Sequence, residues 1–205
     1  MYSVDIAPSY PLDKSKSTGF MAEKAKEALN VKNHKIYLGA GVTNFLEEIG
    51  KGIDFAILDT AHALPGEILD FLVILPYLND NAVVCLHDVA ESQYSKWRAA
   101  YATTLLLSSV TAKKMINLIP ENHNSKFLFP NIAAFQINED TRKNIIDVVM
   151  TLTIPWNFLP SNIELKRYAE FIRYYYRKFA AKAPSFNYGD EAAPKICGIE
   201  NDNVL

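Results

Sequence analysis

The sequence predicts an α/β fold on a mainly parallel sheet, and three observations carry that prediction. Short apolar runs at 2–6, 35–38, 53–58 and 82–86 alternate with stretches of helical periodicity. Gly, Pro and Asn punctuate nearly every change from one to the other. The last two runs each close on a carboxylate, Asp59 and Asp88. Parallel neighbours need a crossover of a dozen or more residues, usually a helix, and such crossovers are right-handed. The expected architecture is therefore a three-layer sheet in which the strands ending at Asp5, Leu38, Asp59 and His87 share one carboxyl edge.

Each element has its own reason. Tyr2 to Ile6 alternates as a strand does, and Pro8 and Pro11 forbid its continuation. Ser17, Thr18 and Gly19 open a helix with apolar positions Phe20, Met21, Ala25, Ala28 and Leu29, stopped at Asn30. Lys35 to Leu38 is a strand, and Gly39-Ala40-Gly41 turns it into a short helix ended by Gly50 and Gly52. Ile53 to Leu58 is a buried strand. Pro65 suits a first helical position, and Ile68, Leu69, Phe71, Leu72, Val73 and Leu75 make that helix apolar nearly all round up to Asn79-Asp80-Asn81. Ala82 to Leu86 is the next strand. Residues 92–119 read as mostly helical, with Leu105 to Val110 open to a strand reading as well. Ile132 to Ile137 is a late strand and Glu139 to Leu152 a helix. Ser161 caps a long helix whose stripe is Leu165, Tyr168, Ile172, Tyr175 and Phe179.

The chain has 205 residues, 49% hydrophobic and 21% charged, with 21 basic against 23 acidic side chains. That balance excludes wholesale disorder and gives no electrostatic draw toward nucleic acid or an anionic membrane. The longest apolar run, Phe71 to Leu78, contains Pro76 and falls short of the ~20 residues of a membrane span. No secretory leader is recognisable, and two cysteines, Cys85 and Cys197, make no disulfide framework, so the expected compartment is a reducing cytoplasm. The expected organisation is an α/β domain over 1–152, an amphipathic helix over 153–182 and a loose tail over 183–205. The helix carries six basic and two acidic residues between Glu164 and Lys182, which reads either as a solvated face or as a surface for a homo-oligomer or an anionic ligand.

Asp59 and Asp88 follow consecutive strands and should emerge side by side at the edge where open α/β sheets bind ligands. Neighbouring strands lie ~4.8 Å apart, so the two carboxylates could share a hard divalent cation such as Mg²⁺. His62 and His87 add two imidazoles there. Taken singly, each Asp also reads as a turn residue, and His87 as a side chain pointing into the sheet.

The runs Met1-Tyr-Ser-Val-Asp5-Ile, Ile53-Asp-Phe-Ala-Ile-Leu-Asp59-Thr-Ala-His62 and Leu75-Pro-Tyr-Leu, followed by Ala82-Val-Val-Cys-Leu-His87-Asp88, resemble the class I S-adenosylmethionine-dependent methyltransferases. The subgroup is that of the metal-dependent sugar O-methyltransferases and cephalosporin-hydroxylase-like proteins. The resemblance covers residues 1–90 and, more weakly, 132–137. It implies a Rossmann-like sheet, Asp5 on the ribose of S-adenosylmethionine, Gly39 and Ala40 near its adenine, Asp59 and Asp88 on the metal, and His62 as the base for an acceptor hydroxyl. Family members carry a glycine-rich loop after a strand that precedes the one ending in Asp5. Only four residues precede Asp5 here, so the expectation is an N-terminally truncated domain that binds the cofactor weakly. The implied acceptor is a small hydroxylated or sugar-like molecule, against which Trp156, Phe158, Tyr174, Tyr175 and Tyr176 could stack if they are not core. Two other readings use the same letters: a non-catalytic methyltransferase-like domain acting in assembly, and a dinucleotide-binding unit with Gly39 and Gly41 as its glycines and Asp59 on the ribose.

Overall fold

A computed structural model describes residues 1–94, 99–116 and 131–180. The expected tail over 183–205, and residues 95–98 and 117–119 of the expected helical stretch, lie outside them, as does the side chain of Phe179. The chain divides into two compact units, Met1–Lys51 and Gly52–Leu205.

In the first unit, β1 (Tyr2–Asp5) and β2 (Lys35–Leu38) pair in parallel, in register from Tyr2↔Lys35 to Asp5↔Leu38. The crossover is α1 (Phe20–Leu29), which begins after a left-handed Gly19 and ends on a left-handed Asn30, the conformation that terminates helices. None of its residues is buried. The small core gathers on Tyr37, whose ring stacks on Phe45 at 4.5 Å, and on Leu46 of α2 (Leu46–Ile49). Lys35 and Glu48 form an ion pair beside it.

In the second unit, β3 (Ile53–Leu58), β4 (Leu78–His87), β6 (Ile132–Gln136) and β5 (Lys113–Ile116) form one sheet in that order. β3 and β4 run parallel, joined by α3 (Gly66–Ile74). β6 lies between β4 and β5 and is antiparallel to both, so three of the four strands share one direction. The expected α/β class and the strand–helix–strand core are present. The expected continuity of one sheet is not, because β1 and β2 hydrogen-bond to each other in a two-stranded ladder of their own. Apolar runs announce strands, but nothing in them specifies which strands become neighbours.

Burial alternates along β4, with Ala82, Val84 and Leu86 inward, and β6 adds Ala133 and Phe135 to the same face. Phe71 of α3 meets Phe135 edge-on at 5.3 Å, and complete burial of such a side chain stabilises by roughly 1.5–3 kcal/mol. α5 (Ala102–Ser109) packs behind this face through Leu106, which resolves the 105–110 ambiguity in favour of helix. The segment 113–116, expected as helix, is a strand. The expected helix over 139–152 is broken at Asn144 into α6 (Glu139–Lys143) and α7 (Ile145–Met150). α8 (Asn162–Ala180) starts from the reciprocal cap between Ser161 and Glu164 and lies on α3, where the Tyr176 hydroxyl donates to the Leu72 carbonyl at 2.6 Å. No described helix is long and apolar enough to cross a membrane.

Candidate metal centre

β3 and β4 end together, with Leu58 opposite Leu86. The residues that follow these partners, Asp59 and His87-Asp88, therefore leave the sheet at one edge, as the sequence implied. The chain turns sharply at both exits. His62 has φ 56° and Asp88 has φ 56°, left-handed values uncommon for residues other than glycine, although Asp and His tolerate them better than most.

Those turns bring side chains together. One ligand atom from each of Asp59, His62 and Asp88 lies within 4.8 Å of the other two. His62 Nε2 stands 3.5 Å from Asp59 Oδ1 and 3.4 Å from Asp88 Oδ2. His87 Nδ1 approaches the same two oxygens, at 3.5 Å and 3.0 Å. His87 thus faces the cluster instead of the sheet interior.

Behind His62 lies Glu67, in the first turn of α3 and fully buried. Its Oε1 accepts from the backbone N–H of His62 at 2.7 Å, the Thr60 N–H at 3.2 Å and the Thr60 hydroxyl at 3.1 Å, and so ties the 59–62 loop to the helix. The same oxygen lies 3.4 Å from His62 Nδ1. Glu67 Oε2 and His62 Nδ1 are both buried without a hydrogen-bond partner, a costly state for polar atoms. The Glu67 carboxylate holds the His62 imidazole above its ordinary pKa, against partial burial, with Asp88 and Glu91 adding to the effect. Burial works to raise the Glu67 carboxyl, but the His62 ring and backbone amide outweigh it and leave it below the usual range. Helix α3 is brought close to the loop at Gly66, where a Cβ would come within 2.7 Å of the Ala61 Cβ.

Asp88 is fixed from a third strand. Asn131, immediately before β6, donates its side-chain amide to Asp88 Oδ1 and takes the Ala90 N–H on its own side-chain oxygen. The Thr103 hydroxyl donates to the Asp88 carbonyl at 3.0 Å. Burial alone would raise the Asp88 carboxyl, but Asn131, His87 and His62 together keep it below the usual carboxylate range.

Asp5, Gly39 and Ala40 also sit together, in the first unit. Gly39 donates its N–H to the Asp5 carbonyl at 2.9 Å, and Asp5 Oδ1 accepts from Ala7 at 2.7 Å. Gly39 has φ 85° and nothing within 4 Å of where a Cβ would stand, so backbone conformation favours glycine there and the space a side chain would take is open. Gly41 leads into a three-residue 3-10 turn, Val42–Asn44, and then the four-residue α2. That is a poor match to the long phosphate-binding helix of a dinucleotide unit.

Glu67, Asn131 and Thr60 escaped the sequence reading. The spacing Asp59-x-x-His62 followed by Glu67 five residues on was the available signal for the first; Asn131 gave none, lying 43 residues from its partner. No family model, curated protein or solved structure matches the chain.

Proposed function

We propose that the protein is a divalent-metal-assisted O-methyltransferase, taking the methyl group of S-adenosylmethionine to a hydroxyl of a small or sugar-like acceptor. The observation that supports it is the convergence of Asp59, Asp88 and two imidazoles at the carboxyl edge of two parallel strands. The donor set suits a divalent cation. Two carboxylates this close repel unless a proton or cation lies between them.

A bound cation would lower the pKa of a coordinated hydroxyl. Asp59 and Asp88 would hold that cation, with Asn131 fixing the orientation of Asp88. An imidazole at the same edge, His62 or His87, would take the hydroxyl proton. S-adenosylmethionine supplies a methyl group already activated on sulfonium. Asp5 keeps Oδ2 for the ribose hydroxyls, and the bare Gly39 beside it leaves room for a planar base. The family's Rossmann-like sheet belongs to the same reading.

Two titrations of the full chain test this. Millimolar Mg²⁺ or Mn²⁺ should raise the melting temperature by mass action, and Asp59→Asn or Asp88→Asn should abolish the rise. Calorimetry should show S-adenosylmethionine binding in preference to a nicotinamide dinucleotide. A response to the dinucleotide instead would favour that reading, and silence toward cations and both cofactors would favour a non-catalytic domain.

A further inference from the structure

At the β3/β4 edge one donor atom each of Asp59, His62 and Asp88 lies within 4.8 Å of the other two. Charge-assisted hydrogen bonds between nitrogen and carboxylate oxygen run about 2.7–2.9 Å. The contacts of His62 Nε2 with Asp59 and Asp88 are 3.5 and 3.4 Å, longer than such bonds. Donors at about 2.0–2.1 Å from a tetrahedral ion stand roughly 3.3 Å apart. Around an octahedral Mg²⁺ at the same radius, adjacent donors stand about 2.9 Å apart. Both separations of His62 Nε2, from Asp59 Oδ1 and from Asp88 Oδ2, stand nearer the tetrahedral edge.

A second, independent observation lies behind the cluster. Metal-ligating imidazoles almost always donate their other ring N–H to an outer carboxylate or carbonyl. Glu67 stands on that side of the ring: it is fully buried, its Oε1 holds the His62 backbone N–H at 2.7 Å and lies 3.4 Å from His62 Nδ1, and neither Nδ1 nor the second oxygen, Oε2, has a hydrogen-bond partner. Among the described residues, His62 is the only ion-pair partner of this buried carboxylate. Nε2, on the opposite side of the ring, faces Asp59 and Asp88.

We infer that His62 is a ligand of the cation, braced by Glu67 as its positioning residue, and that the mixed imidazole and carboxylate set selects a borderline transition ion of the Zn²⁺, Co²⁺ or Fe²⁺ kind over Mg²⁺. Imidazole suits those ions, whereas Mg²⁺ prefers oxygen and water. The inference rests on the cluster being a cation centre, and it removes His62 from the role of base. That role passes to His87, the other imidazole at this edge.

Co²⁺ is the probe, because in four-coordinate sites it absorbs visible light far more strongly than as the aquo ion. The unmodified full chain, freed of metal, should develop that absorption and bind Co²⁺ and Zn²⁺ at least about tenfold more tightly than Mg²⁺, a gap in keeping with ligand preference. His62→Asn removes the imidazole while keeping a residue that tolerates φ 56°, and it should abolish the colour. Glu67→Gln should weaken Co²⁺ by about 10–100-fold, with part of the loss restored in Glu67→Asp. If Glu67→Gln does not fold, His62→Asn decides alone. Equal affinity for Mg²⁺ and Co²⁺, or undiminished colour in His62→Asn, overturns the inference and leaves the cation centre standing. If no cation binds the unmodified chain, the cation centre falls and the inference with it.

Discussion

Asp88 shows how much of a site can hang on a residue that makes no direct contribution to chemistry. Its carboxylate is oriented by Asn131, its carbonyl by Thr103, and its backbone is bent into a left-handed turn. Replacing Asn131 by Ala should lower cation affinity by about tenfold, the usual effect of removing an outer-shell partner. Metal-dependent melting shifts would show it, and an unchanged shift would mean that Asp88 needs no clamp. The four members of the cluster were legible in the sequence because each closes or closely follows an apolar run, and strand ends are where such sheets gather chemistry. Glu67 was hidden inside an apolar helix as its one acidic residue in the first turn. Asn131 was hidden by distance along the chain, since hydrogen bonds across a sheet leave no trace in local spacing.

At the level of elements, α8 docks on α3 through a polar contact as much as an apolar one. Tyr168 donates to Asp70 Oδ1 at 2.7 Å, and the Thr60 hydroxyl lies 3.0 Å from Asp70 Oδ2. Burial, with Glu67 and Glu164 nearby, pushes the Asp70 carboxyl up to about 6, against the hydrogen bonds from Tyr168 and Thr60. A carboxyl whose pKa is higher folded than unfolded contributes stability that is full below its unfolded value of 3.8 and fades as pH rises through about 6. Asp70→Asn mimics the protonated form, so its melting temperature relative to the unmodified protein should improve between pH 4 and pH 6. A constant difference across that range would exclude Asp70 as the source. The stripe of α8 was read correctly at Leu165 and Tyr168, but the deepest aromatic of its last described turns is Tyr176 and not Tyr175. β5 escaped notice because Lys113 and Lys114 give it no apolar alternation. An edge strand with all four residues exposed needs none, and charge on such an edge discourages unwanted pairing.

Over the whole molecule, burial is uneven. In the first unit Tyr37 and Leu46 are the buried apolar side chains, whereas the second holds a continuous core running from Leu58 through α3, β4, α5 and β6. About fifty residues are barely enough to offset chain entropy without help. Limited trypsin treatment of the full chain should therefore cut within residues 1–51, at Lys51 among other sites, before it cuts at Arg142 or Lys143 of α6. Early cleavage inside the second unit would contradict that ranking. The cytoplasmic expectation and the homo-oligomer expectation concern surfaces and surroundings, which a folded core does not encode. The two left-handed bends at His62 and Asp88 carry a message of another kind. Each costs of order 1 kcal/mol against a glycine in the same turn. Among the described residues four other than glycine adopt such a turn, Asn30, His62, Asn81 and Asp88, and the two that are not asparagine are the two whose side chains meet Asp59 at the sheet edge, so backbone strain and the donor atoms fall on the same residues.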